Sequence, residues 1–132
     1  MIVHGLAAAR AAAGLADPTR GLVLLSAPGA GLFAGAAWFA ALAAAAGRPG
    51  LPMLALLDCG PAAGAVLAAF RAGIPAAVFT GGDAIAASLE GIAAEYGAIL
   101  LRRAPPALDL AGFRPGSPSL QHRLAAWVGP AG

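Results

Sequence analysis

Four short apolar runs punctuate this chain, and three of them lead into alanine-rich segments that stop beside a glycine. The runs are GLVLLS at 21–26, PMLALLD at 52–58, PAAVFT at 75–80 and AILLR at 98–102. Each has the length of a strand, and none alternates apolar with polar residues. Strands that are apolar on both sides belong to a parallel sheet covered on both faces. The segments at 33–46, 61–72 and 83–96 are long enough for helices. Gly47, Gly73 and Gly97 stand at their ends, and Pro61 and Asp83 stand at two of their starts, which is ordinary helix-boundary chemistry. A repeat of about 25 residues suits strand–helix units wound into one sheet.

The expected fold is therefore α/β, with four to five parallel β-strands and helices on both faces. Half of a (β/α)8 barrel and a flavodoxin-like open sheet both satisfy that pattern. The fifth strand would be the short stretch at 1–4, followed by an alanine-rich helix at 5–14 and a stop at Asp17-Pro18. Residues 1–103 hold the strand–helix repeats, and 104–118 form a loop rich in Pro and Gly. A last helix at 119–128 is introduced by Ser117-Pro118. Leu120, Leu124, Trp127 and Val128 recur there at helical spacing. The whole of 1–132 reads as one domain, long enough to bury a core.

Charge narrows the partners. The net charge is +2, all the basic residues are Arg, and the only adjacent pair is Arg102-Arg103. No aromatic residues interleave with basic ones, so no nucleic-acid partner is expected. The stretch 21–47 carries no charge and is long enough to cross a bilayer. SAPGAG interrupts it, however, and much of the rest is Ala, which contributes little to insertion. The N-terminus lacks a basic segment followed by a long apolar core, as a signal peptide requires. A soluble cytoplasmic protein with no membrane role is the expectation. The single Cys59 precludes an intrachain disulfide and fits a reducing compartment.

In parallel α/β folds, chemistry gathers at the carboxyl ends of the strands, where loops surround a crevice and helix N-termini point into it. Reading those ends in order gives His4, Ser26, Asp58-Cys59-Gly60, Thr80-Gly81-Gly82-Asp83 and Arg102-Arg103. Asp58 and Cys59 are the catalytic candidates, as an acid/base and a thiol. His4, Ser26, Thr80, Gly81, Gly82 and Arg102 are the candidate ligand-binding residues. A structural reading stands beside each of these, since polar residues also collect where strands return to water. Thr80-Gly81-Gly82-Asp83 is either a helix entry capped by Asp83 or a cradle of backbone N–H groups for a phosphate. Its glycines match neither the P-loop nor the dinucleotide fingerprint. Cys59 is either a buried small hydrophobe or an accessible thiol of lowered pKa.

The segment LPMLALLDCGPAAGAVLAAFRAGIPAAVFTGG resembles part of the class II, metal-dependent fructose-bisphosphate aldolases. In that family a strand ends in Leu-Asp-His-Gly, a helix follows, and an Ala-Gly precedes the next strand. HGLAAARAAAGLA, GLVLLSAPGAGLFAG and IAAEYGAILLRR are similar to further segments of the same family in the same order. The likeness covers residues 4–103, which correspond to the first half of the family's barrel. The resemblance implies that Asp58 takes the proton-shuttle position, Cys59 the position of a metal-binding His, and Ser26 that of a substrate-contacting Ser. It departs from the family at Cys59 and at Thr80, where the family has Asp, and the second half-barrel with the other metal ligands has no counterpart. No metal and no cofactor are therefore expected.

The expectation for function is a small aldolase-like α/β protein, not an active aldolase, with an anion- or carbonyl-binding crevice at the strand ends. Two alternatives stay open: a non-catalytic module that self-associates, and a lyase- or hydrolase-type enzyme using Asp58. Whether the chain is an enzyme stays open with them. A half-barrel exposes two sheet edges, and a homodimer is the simplest cover for them. The surface expected to pair is either a sheet edge or the helix faces where smooth Ala40, Ala43 and Ala44 stand with the larger Trp38, Phe39 and Leu42. The other expected partner is a small phosphorylated or carbonyl compound.

Overall fold

The computed structural model describes residues 1–107. Five strands form one sheet: β1 (Ile2–Val3), β2 (Leu22–Ser26), β3 (Met53–Asp58), β4 (Ala76–Val78) and β5 (Ile99–Leu101). All neighbours are parallel, and the order across the sheet is β1-β2-β3-β4-β5. Five helices connect them: α1 (Leu6–Leu15), α2 (Ala30–Phe33), α3 (Ala36–Ala46), α4 (Ala63–Arg71) and α5 (Asp83–Tyr96). The α/β class and the parallel sheet stand as expected. Of the two expected topologies, the strand order follows the consecutive order of a barrel half, whereas a flavodoxin-like sheet runs 2-1-3-4-5.

Side-chain alternation explains where the core lies. Val3, Leu22, Leu24, Leu57, Ala77 and Phe79 share one face of the sheet and form one buried cluster with all the described helices. Leu25, Leu56, Ala76 and Val78 point to the opposite face and form a second buried cluster, with Ile2, Leu54 and Leu101 beside it. A right-handed crossover between strands that are adjacent in sequential order always lands on the same side of the sheet. The described helices therefore lie in a row on one face, with α3 touching both α1 and α4. Among the described residues, the expectation of helices on both faces is met on this face alone. The helix expected at 119–128 and most of the loop at 104–118 lie outside the described residues.

The segment 33–46 holds parts of two helices where the sequence reads as one: α2 ends at Phe33 and α3 starts at Ala36. Gly35 lies between them with φ +88° and ψ 157°, a conformation closed to side-chain-bearing residues. Conversely, Gly14 does not end α1, which runs through it to Leu15. Helix α5 occupies 83–96 as expected, but its N-cap is Gly82, not Asp83, and no side chain caps it. Asp83 turns away to an arginine instead.

The expected pairing surface also needs correction. Phe39, Leu42 and Ala43 are buried in the protein's own core, and Ala40 is half-buried. They fall on the inner side of α3, and only Trp38 and Ala44 of the expected set are exposed. Among the described residues no helix is long and apolar enough to cross a membrane.

Candidate functional site

Because every strand runs the same way, the sequence-predicted residues do emerge along one edge of the sheet. His4 follows β1, Ser26 ends β2, Asp58 ends β3, Thr80-Gly81-Gly82 link β4 to α5, and Arg102 follows β5. Contacts divide them into two groups.

The first group joins β2 and β3. The backbone N–H of Asp58 donates to Ser26 Oγ at 2.8 Å, and that hydroxyl donates in turn to the Ala27 carbonyl at 3.1 Å. Asp58 Oδ1 accepts from the N–H of Gly60 at 2.9 Å and from the N–H of Gly29 at 3.3 Å. The carboxylate thus fastens its own turn and the loop between β2 and α2. Gly60 makes the first of those bonds from φ +53°, the left-handed region that Gly enters without steric cost. Ser26 is 1% exposed and Asp58 7%. Among the described residues no buried side-chain oxygen lacks a partner, so Oδ2, which accepts no bond, is the oxygen of Asp58 that meets solvent.

Cys59 leaves the strand on the helix side. It is 0% exposed, its backbone N–H donates to the Val78 carbonyl at 3.0 Å, and its thiol lies 3.7 Å from the Leu57 carbonyl. Helix α2 covers it so closely that a Cβ on Gly31 would come within 3.0 Å of Sγ and 3.2 Å of Cα. Burial, with a smaller contribution from the Asp58 charge, pushes the thiol up to about 12. Nucleophilic attack and metal ligation both need the thiolate, which this setting suppresses.

The second group joins β4, β5 and α5. Arg102 Nε donates to the Phe79 carbonyl at 3.1 Å, Nη2 donates to the Gly81 carbonyl, and Nη1 pairs with Asp83 Oδ1 at 2.9 Å. The guanidinium also stands 5.8 Å from the centre of the Phe79 ring. Arg102 is a ligand-binding candidate by sequence, but three of its five N–H donors are spent on the β4–α5 link and on Asp83 at the start of α5. The Thr80 N–H in turn donates to the Gly60 carbonyl at 2.8 Å, tying this group to the first. Thr80 and His4 have exposed side chains.

The sequence reading missed Gly29 and Gly31 as members of the rim. The spacing Gly29-x-Gly31 shortly after Ser26 was the available signal, since glycines there permit a close loop and helix. Among the described residues no group of three or more His, Cys, Asp or Glu side chains is placed to hold a metal ion. Two surface depressions, of about 300 and 270 Å³, lie at the other end of the sheet and share Arg20, Gly21, Leu22 and Val23. Comparison of the chain with protein families, with curated proteins and with solved structures finds no match.

Proposed function

We propose that this chain is a non-catalytic α/β module that associates with itself, and that its strand-end rim holds the fold together. One observation carries this reading: Ser26 and Asp58 satisfy each other and the neighbouring loops. Ser26 has both hydrogen-bonding roles filled, and Asp58 has one oxygen and its N–H committed. Buried Cys59 and committed Arg102 support it from either side. On the resemblance to class II aldolases, the module is a half-barrel relative without aldolase activity. The consecutive strand order supports that ancestry.

The alternative of a ligand crevice, or of an Asp58-dependent lyase or hydrolase, is favoured by a single observation, the solvent-facing Oδ2. Thermal melts of the wild type and of Asp58→Asn, each with and without a panel of sugar phosphates, separate the readings. The structural role predicts that Asp58→Asn costs roughly 1–2 kcal/mol, the range of a lost cap, and that no compound shifts either melt. A ligand-dependent upward shift in the wild type that vanishes in Asp58→Asn would replace this proposal with the crevice.

A further inference from the structure

The two faces of the sheet are covered by different means. All the described helices lie on one face, yet Leu25, Leu56, Ala76 and Val78 in the middle of the other are no more than 1% exposed. Register places Leu25 beside Leu56 and Leu56 beside Ala76, with Ile2 and Ile99 at the two ends of the same row. Burial falls away from the centre. Ile2 is half-buried, Ile99 is 50% exposed, and Val23, lower on β2, is 40% exposed. Strands shield one another only sideways, so a row buried in this way carries a layer above it.

Part of that layer is described. Ala107 packs against the buried row, and Pro106 lines the larger surface depression together with Met1 and Val23. From β5 to β2 is three strand spacings, about 14 Å, and the five residues from Leu101 to Pro106 reach at most about 18 Å. The connection has no slack for a detour, and Pro105-Pro106 favours an extended path. Residues 102–107 therefore form a strap across the second face, from the β5 edge to the β1–β2 side. The chain that continues from Ala107 starts on this face.

We propose that the rest of the layer is the C-terminal segment of the same chain, with Leu120, Leu124, Trp127 and Val128 set against Leu25, Leu56 and Val78. At helical spacing those four residues fall within one arc of about 100°, and Ser119 and His122 fall on the opposite side. Ten residues of helix, 119–128, measure about 15 Å, against about 19 Å for the breadth of five strands. In a closed barrel the inner face of each strand is packed by the strands opposite. Here the chain's own segment takes that place, beneath strands that run in consecutive order. The proposal does not rest on self-association.

A second copy of the chain is the competing occupant. Two sheets laid face to face stand about 10 Å apart, and the strap at 102–107 fills that gap. Tethering also favours the chain's own segment, which a short connection holds at an effective concentration in the millimolar range.

Nuclear magnetic resonance and fluorescence quenching on the full chain test the proposal. Nuclear Overhauser cross-peaks are expected between the Trp127 indole and the methyl groups of Leu56 and Val78. In a mixture of isotope-labelled and unlabelled chains they are expected to stay within one chain. Trp38→Phe leaves Trp127 as the sole Trp, and acrylamide is expected to quench it weakly, with no change on dilution. Adding Leu124→Asp, which sets a carboxylate against the apolar row, is expected to raise the quenching constant at least about threefold. Adding His122→Asp, on the far side, is expected to leave it unchanged. If Leu124→Asp fails to fold, the cross-peaks in the unaltered chain decide alone. Absence of those cross-peaks overturns the proposal. Cross-peaks that pass between chains overturn it in favour of a second copy. Equal quenching in the Leu124→Asp and His122→Asp chains overturns the side of the segment assigned to the sheet.

Discussion

The Asp58 N–H and the Ser26 hydroxyl meet at 2.8 Å across the ends of two neighbouring strands. Strand pairing between β2 and β3 runs as far as Leu25 opposite Leu56. Beyond that point Ser26 supplies with its side chain the acceptor that the ladder no longer provides. The Asp58 side chain acts reciprocally, binding the loop that follows Ser26.

Ser26→Ala is therefore expected to cost about 1–3 kcal/mol, because it leaves a buried N–H without an acceptor. A thermal or urea melt measures it, with Ser88→Ala as the control: Ser88 is exposed and makes only a 3.5 Å bond within its own helix. Equal melts of wild type and Ser26→Ala would show that the bond contributes nothing.

The buried thiol predicts a pH dependence of stability. Its pKa is about 12 in the folded chain against an ordinary 9.0, because burial and the Asp58 charge favour the neutral form. Between those values the unfolded chain gives up the proton while the folded chain keeps it. The contribution to stability is thus complete below pH 9.0 and declines as pH rises toward 12. Melts at pH 8 and at about pH 10.5 should show a loss in wild type that is smaller in Cys59→Ala. Iodoacetamide should label Cys59 in urea and leave it unmodified in the native protein.

Gly31→Ala and Gly14→Ala should move stability in opposite directions. At position 31 the new Cβ presses on Cys59, with backbone on one side, and the overpacking is expected to cost about 1–3 kcal/mol. At position 14, inside α1, a Cβ meets nothing within 4 Å, so alanine's helix preference should gain about 0.5–1 kcal/mol. A destabilising Gly14→Ala would show that this side of α1 is covered by something else.

Arg102 and Asp83 form an ion pair whose two halves should matter unequally. The Asp83 side chain is 98% exposed, so Asp83→Ala should change stability by less than about 0.5 kcal/mol. Arg102→Ala also removes the donors to the Phe79 and Gly81 carbonyls, and should cost about 1–2 kcal/mol. Similar losses in the two variants would place the stabilisation in the ion pair itself.

The strand positions were legible because parallel strands buried on both faces leave short apolar runs that few other elements produce. Four runs marked β2 to β5 to within a residue or two, and the gathering of Asp58, Ser26 and Arg102 at one edge followed from strand direction alone. Other features were not legible. Nothing in the run from 33 to 46 distinguished a helix-breaking Gly35 from the tolerated Gly14, because that depends on whether the chain must turn there to reach the sheet. The inward and outward sides of α3 were equally obscure. A segment made almost wholly of Ala with Trp, Phe and Leu has no polar side to mark its exposed face. The use made of Ser26, Cys59 and Arg102 depended on loops whose paths only the fold reveals.

The consecutive order of the strands bears on how the chain reaches this fold. Each strand pairs with the one before it in sequence, so no contact between strands has to wait for a distant segment to arrive. Such a layout keeps loop-closure entropy low, and rates fall as contacts become less local. The central pair β2–β3 is the longest, so assembly is expected to start there and to spread outward one strand–helix unit at a time. Amide exchange should then grade from slow in β2 and β3 to fast in the two-residue β1 and the three-residue β5.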